Sequence, residues 1–236
     1  RALGILGLCA LYFLAFSVAW SQAAEVQPVS GAFVVRYPLV QDEHPREFDE
    51  YFLQVLTLAL ERSGKLYELV PVKTPMLVEE RSSLNLQKSL YDLHWLNTNP
   101  QRERQLIPVR VPLFKGLAGW RLLLIHPDSA AAFKSVKTLE DLRRFTAGQG
   151  HDWPDNAILR HNQLPMEISS DWEGLFRMLH LKRIDYFPRS VFEIWREQEL
   201  FKEFNFKIQD HLALHYPAAY YFFVSPHKPE LARVLE

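Results

Sequence analysis

The densest group of ligand-competent residues is Phe145 to Asp155, Phe-Thr-Ala-Gly-Gln-Gly-His-Asp-Trp-Pro-Asp. Gly148 and Gly150 permit positive φ and let a ligand approach the main chain closely. Pro154 suits the first turn of a helix and Asp152 suits its N-cap, so the stretch predicts a turn feeding a helix start. Such a start presents unpaired N–H groups, which favour an anion or a carboxylate. Gln149, His151 and Trp153 add hydrogen-bond donors and a ring able to stack. A structural turn with polar residues accounts for the same letters, so the rest of the chain has to decide.

Other chemistries find less support. Nine histidines are scattered along the chain, and the closest groupings, Asp92-Leu-His94 and His151-Asp152, lack the spacing of a His-Glu-x-x-His site. No metal and no cofactor is expected. No Gly-x-Ser-x-Gly elbow, phosphate-cradling Gly-rich loop or dinucleotide fingerprint is present. The chain therefore reads as a binder and not as an enzyme. Lys+Arg number 27 against 28 Asp+Glu, so no net field draws it to nucleic acid or an anionic membrane.

The elements that must position these residues alternate in type. Ala32–Tyr37 and Leu66–Val72 are β-rich runs, and between them Phe48, Phe52, Val55, Leu56 and Leu60 recur at helical spacing. That helix is expected to open at Pro45 and stop at Gly64. A second helix over Glu79–Leu90 precedes a strand at Tyr91–Trp95. Leu96–Arg104 reads as a polar loop, and Trp120–Ile125 as an apolar strand. Thr138-Leu-Glu-Asp141 resembles a capping box, as does Ser190-Val-Phe-Glu193. Met166–Ile168 and Arg183–Phe187 are short strands around an amphipathic helix at Ser170–Leu179, and Tyr220–Val224 is an aromatic strand. Strands alternating with helices predict an α/β fold with largely parallel sheets. Residues 1–23 form a signal-peptide pattern: Arg1, an apolar run, and small residues at Ser21 and Ala23. An uncleaved anchor is the alternative. Cys9, the only cysteine, leaves with that segment and is not placed for lipidation, so no disulfide is expected. Pro229–Glu236 opens a helix without a stop signal, and the natural chain is expected to continue past it.

Three stretches in this order carry a resemblance: Thr98–Phe114, Lys137–Arg143 with Gly148-Gln-Gly150, and Leu175–Asp185. Together they resemble the type II periplasmic solute-binding proteins, in the amino-acid-binding family (solute-binding protein family 3). The resemblance implies two lobes, each a mostly parallel sheet flanked by helices, closing over a small ligand and joined by two crossing strands. Lobe 1 would span residues 24–118, a hinge strand 119–126, lobe 2 residues 127–218, and a return strand with the start of a helix 219–236. By position, Arg102 would clasp a ligand carboxylate with its planar fork, or Arg104 if the register slips. Thr98 would add a hydroxyl, and Tyr37 and Trp95 would stack on the ligand or join the core. The family carries an aspartate for an α-ammonium group shortly after the strand holding Asp185. Here Ser190 stands near that place with Arg189 beside it, and a cation there repels an ammonium. Ser190 also reads as a simple N-cap, and Arg189 as a partner of Glu193. The resemblance implies a monomeric periplasmic receptor for a small polar, carboxylate-bearing solute, feeding a membrane permease of the ABC type. The alternative is a module of the same fold that signals to a membrane-bound sensor.

Overall fold

The computed structural model describes residues 32–40, 48–75 and 79–236. The signal segment, Cys9 and the helix start at Pro45 lie outside the described residues. The chain runs β1 (Phe33–Val40), α1 (Asp49–Arg62), β2 (Tyr67–Thr74), α2 (Glu79–Gln87), β3 (Leu93–Asn97), α3 (Pro100–Gln105) and β4 (Ile107–Val109). It continues with β5 (Trp120–Ile125), α4 (Ala130–Phe133), α5 (Leu139–Leu142), β6 (Ala147–Gly150), α6 (Asp155–His161), β7 (Met166–Ser169), α7 (Trp172–His180) and β8 (Tyr186–Ser190). The last elements are α8 (Ile194–Leu200), β9 (Lys207–His215), β10 (Tyr220–Val224) and α9 (Pro229–Leu235).

Two sheets form, and they share one plan. The first has ladders β1–β2 and β3–β10–β4. The Asp92 N–H donates to the Arg36 carbonyl at 2.8 Å and joins the two ladders, giving the order β2-β1-β3-β10-β4. A 2.7 Å ion pair between the same two residues tightens the joint. The second sheet has the order β7-β6-β8-β5-β9. In each sheet one strand, β10 or β5, runs antiparallel to its neighbours. These are the strands that enter from the other lobe, so they arrive in the opposite direction.

Burial on both faces explains the apolar strands. Phe222 and Val224 of β10 pack into one core with α1 and α9, while Phe223 packs behind the sheet with Leu86 of α2. Likewise Leu123 and Ile125 of β5 face Leu142 and Leu159, whereas Leu124 faces Leu175, Phe176 and Ile194. A strand covered on both sides needs a near-continuous apolar run, which β10 supplies throughout and β5 supplies over Leu122–Ile125. Gly64, at φ +69, follows the last turn of α1 where a side chain would be strained. The Thr138 capping box forms as expected.

Several local expectations change. Leu96–Arg104 is not all loop: Asn99 accepts from the Arg102 N–H at 2.7 Å and Pro100 opens α3. Gly148 and Gly150 lie inside β6, and neither has positive φ. They are small because neighbours press on them: a Cβ at Gly148 would meet Ile184 at 2.3 Å, and one at Gly150 would meet the Trp153 ring at 2.4 Å. The residue preceding α6 is Pro154, without a side-chain cap, so Asp152 is not the N-cap. Strand β8 runs three residues later than its sequence suggests, because Arg189 is charged but paired inside the fold. Ser190 therefore ends a strand, and no capping box forms there. Strand β9 was not recognisable: it is a polar edge strand, and such edges carry charges against further pairing.

The chain passes between lobes twice, and the passages lie side by side. Tyr216 N–H donates to the Gly119 carbonyl at 3.1 Å, next to the Trp120–His215 register pair. A Cβ on Gly119 would lie 2.2 Å from the Tyr216 carbonyl oxygen, so this crossing requires glycine.

Candidate functional site

In open α/β sheets ligands gather beyond the carboxyl ends of the strands. For the second sheet those ends are Gly150 of β6 and Ser190 of β8, and the loops leaving both reach the first lobe. From the first loop, Asp152 Oδ2 accepts from the Glu79 N–H at the start of α2, at 3.2 Å. From the second, the Phe192 ring stacks on Phe114 with centroids 3.9 Å apart and meets Phe48 edge-on at 5.0 Å. The cleft is thus bounded by strand ends on one side and by α2, α3 and the β3 end on the other.

Inside the second wall lie buried polar atoms without a hydrogen-bond partner among the described residues. They are both amide atoms of Gln149, Ser190 Oγ and Asn156 Oδ1. Gln149 is 0% exposed. Asn156 holds its place by donating to the Gly150 and His151 carbonyls at 2.8 and 3.1 Å. Buried polar groups are nearly always satisfied, so these exceptions, in β6, at the end of β8 and in the first turn of α6, call for a partner. Ser190 is in register with Arg121 on β5. Arg121 in turn donates to Asp155 at 2.9 Å and to the Ala118 carbonyl, and its guanidinium lies 5.5 Å from the Tyr216 ring centroid. The Tyr216 hydroxyl donates to the same carboxylate. Burial pulls the Arg121 pKa down, but Asp155 and Tyr216 outweigh it and the cation is held above its ordinary value.

Arg189 is not a free cation. Its guanidinium donates to Glu197 at 2.6 Å and to Glu193 at 3.2 Å, and lies over the Trp153 and Phe187 rings at 4.7 and 4.9 Å. Burial opposes its charge, and Glu197 and Glu193 together restore it above the usual arginine value. The expected repulsion of an ammonium group therefore has no basis here, because two carboxylates face one cation. Trp153 stacks on Phe187 and covers Gly150, so its indole serves the lobe's own packing.

On the first wall Arg102 is buried, 4% exposed, whereas Arg104 is exposed. Arg102 does clasp a carboxylate, but the chain's own: it pairs with Glu79 at 3.0 Å and also donates to Ser83 Oγ at 2.9 Å and the Asn97 carbonyl. Glu79 receives the Asn97 side-chain amide too, at 2.9 Å. The Thr98 hydroxyl donates to Glu103 at 2.5 Å and helps hold that carboxyl below its usual range, with Arg110 adding to the effect. Tyr37 and Trp95 sit in the core, rings 6.4 Å apart, and the Trp95 indole donates to Asp49 at 2.8 Å.

Asp185, which the resemblance also placed among the ligand-binding residues, directly precedes β8, at the end opposite Ser190. Its carboxylate accepts from the Thr146 N–H at 2.7 Å, stitching the start of β6. Five residues at about 3.3 Å each put it roughly 16 Å from Ser190. His151 is exposed at the cleft loop, with Nδ1 3.7 Å from Asp152. Among the described residues no three metal-ligating side chains gather, and no helix is long and apolar enough to cross a membrane.

The sequence reading missed Glu79, Arg121, Asn156 and Phe192. Only Arg121 left a signal: one cation in an otherwise apolar strand implies a buried acid to meet it.

No protein-family model and no curated protein matches the sequence. Solved structures do match the fold. An ancestral arginine-binding protein bound to arginine superposes with a TM-score of 0.60 at 14% identity, covering 86% of this chain and 88% of its own. The periplasmic VFT2 domain of Bordetella pertussis BvgS gives 0.61 at 18%, covering 86% and 85%. A histidine kinase sensor domain with similarity to periplasmic binding proteins gives 0.62 at 15%, covering 88% and 89%. The chain has the two-lobed fold of the type II periplasmic solute-binding proteins.

Proposed function

We propose that this chain binds a small polar solute of no net charge between its two lobes, on the periplasmic side of a membrane. One observation carries the reading: among the described residues, the amide of Gln149 in β6, Ser190 Oγ at the end of β8 and Asn156 Oδ1 in the first turn of α6 are buried without a hydrogen-bond partner. An amide and a hydroxyl provide donors and acceptors for hydroxyl, amide or paired ionic groups of a solute. The cations near the cleft each face an internal acid, Arg102 with Glu79, Arg121 with Asp155 and Arg189 with Glu197. That balance argues against a lone ligand carboxylate as the main anchor. Binding without chemistry is further supported by the arginine-binding neighbour of the same fold.

The test is a thermal-shift screen of polyols, amides and zwitterionic amino acids against mono- and dicarboxylates. A solute at a hundred times its dissociation constant adds about 2.7 kcal/mol, roughly 5–10 °C for a chain of this size. Stabilisation by dicarboxylates alone would overturn the reading. Between delivery to a permease and signalling to a membrane-bound partner, the cross-lobe contacts of Phe192 and Asp152 favour signalling. A delivery receptor must open at each cycle, and these contacts resist opening.

A further inference from the structure

We infer that the closed arrangement of the lobes is latched by the chain's own side chains, Phe192 and Asp152, so that a solute or partner controls opening of the cleft and not its closing. The inference does not depend on which solute the cleft takes. Phe192 sits in the turn after β8, on a lobe-2 loop, yet its ring joins an aromatic cluster of lobe 1. Phe114, on which it stacks, lies 5.9 Å from Tyr51, 5.1 Å from Phe52 and 5.5 Å from Tyr220. Phe48, its second contact, lies 5.2 Å from Phe114. The ring therefore completes a cluster that opening would leave wet on one side. Stacked and edge-on geometries both add to the simple burial of area.

The second contact is chemically different. Asp152 presents its carboxylate, 7% exposed, to the first N–H of α2, a nine-residue helix. A negative group is favoured there by the unpaired N–H groups and the helix dipole. It takes the donor that a bound anion would otherwise use, so the chain supplies an internal stand-in for an anionic ligand. The two contacts leave the second sheet from different strands, β6 and β8. Both loops therefore oppose opening.

The experiment places spin labels on Leu58→Cys of α1 and Leu181→Cys after α7, in the full chain carrying Cys9→Ser. Both positions are exposed, one in each lobe. Without solute, the parent is expected to show one short distance. Phe192→Ala with Asp152→Ala should add a longer population and raise the open-to-closed ratio at least about tenfold, since a charged hydrogen bond and a ring contact are lost. Phe192→Ser alone should give a smaller rise, and Phe192→Tyr, which keeps the ring, none. Circular dichroism checks that each variant is folded. Should the double variant be unfolded, the Phe192→Ser and Phe192→Tyr pair still decides. An unchanged distribution in folded Phe192→Ser, or a dominant long distance in the parent, would overturn the latch.

Discussion

Removing the Arg102 guanidinium would leave Glu79 as a largely buried carboxylate without its cation. Breaking such a pair from one side typically costs about 3–5 kcal/mol. Arg102→Ala should therefore lower stability by that order in urea denaturation, with Arg102→Lys intermediate because an ammonium lacks the fork that also reaches Ser83. A ligand-clasping arginine would behave differently, losing affinity at little expense of stability. Gln149 should show the reverse pattern. Its two amide atoms are buried without partners among the described residues, each worth about 1–3 kcal/mol in desolvation. Gln149→Leu is expected to leave the protein as stable or more so while abolishing solute stabilisation in the same thermal assay. Glu103 makes a pH-dependent contribution. Its carboxyl is held below the ordinary value by Thr98 first and Arg110 second, so the folded state prefers the charged form. That stability is complete above the ordinary carboxylate value and fades as pH falls through the lower folded value. Glu103→Gln should flatten the acid limb of a stability-against-pH curve between those two points, leaving the neutral region unchanged in shape.

At the scale of elements, the two crossing passages and strand β6 depend on glycine for different reasons, and the difference is measurable. At Gly119 an added Cβ meets a backbone atom, the Tyr216 carbonyl oxygen, at 2.2 Å. At Gly148 it meets the tip of a side chain, Ile184 Cδ1, at 2.3 Å. A side-chain tip can rotate away, whereas a backbone carbonyl already accepted into a crossing cannot move without shifting the strand. Gly119→Ala is thus expected to be the more destabilising of the two, by about 1–3 kcal/mol, as overpacking usually is. Equal midpoints of chemical denaturation for the two variants would show that the passages have slack. Helix α6 ties this region together: Asp155, its first residue, holds Arg121 of β5 and Tyr216 of the return passage.

Considered whole, the molecule has separate cores on either side of its two passages. Val35, Phe52, Leu56 and Phe222 belong to one lobe, and Leu123, Phe133, Leu175 and Phe176 to the other. Their unfolding is coupled through the passages and the cross-lobe contacts alone. Weakening a contact between two cores should weaken cooperativity before it weakens either core. Phe192→Ala is accordingly expected to lower the ratio of van't Hoff to calorimetric enthalpy, or to split one calorimetric transition into two. A single transition of unchanged ratio would mean that the passages alone carry the coupling. With a net charge of -1 across the chain and the cleft cations matched by acids, binding of the proposed neutral solute is expected to be nearly independent of salt. Titration calorimetry at low and high ionic strength checks this, since a bare carboxylate clasp would weaken as salt rises.

What could be read from the letters alone depended on neighbours a few residues apart. The helix stop at Gly64, the Thr138 capping box and the apolar strands Trp120–Ile125 and Tyr220–Val224 are all of this kind, as was the alternation that predicted an α/β fold. Gln149 was singled out by its place between two glycines, though as part of a turn and not of a strand. What the sequence could not decide was which charge meets which. Arg102 finds Glu79 across 23 residues, Arg121 finds Asp155 across 34, and Asp152 reaches Glu79 across 73. An arginine or an aspartate looks equally ready for a ligand or for a partner within the chain. The energy that separates the two outcomes comes from burial, and burial is a property of the folded chain: once Arg102 and Arg189 are enclosed, leaving them without an acid costs far more than leaving a surface arginine in water. Burial therefore accounts for why the proposed site rests on neutral groups, the Gln149 amide, Ser190 Oγ and Asn156 Oδ1, which are buried with no hydrogen-bond partner among the described residues.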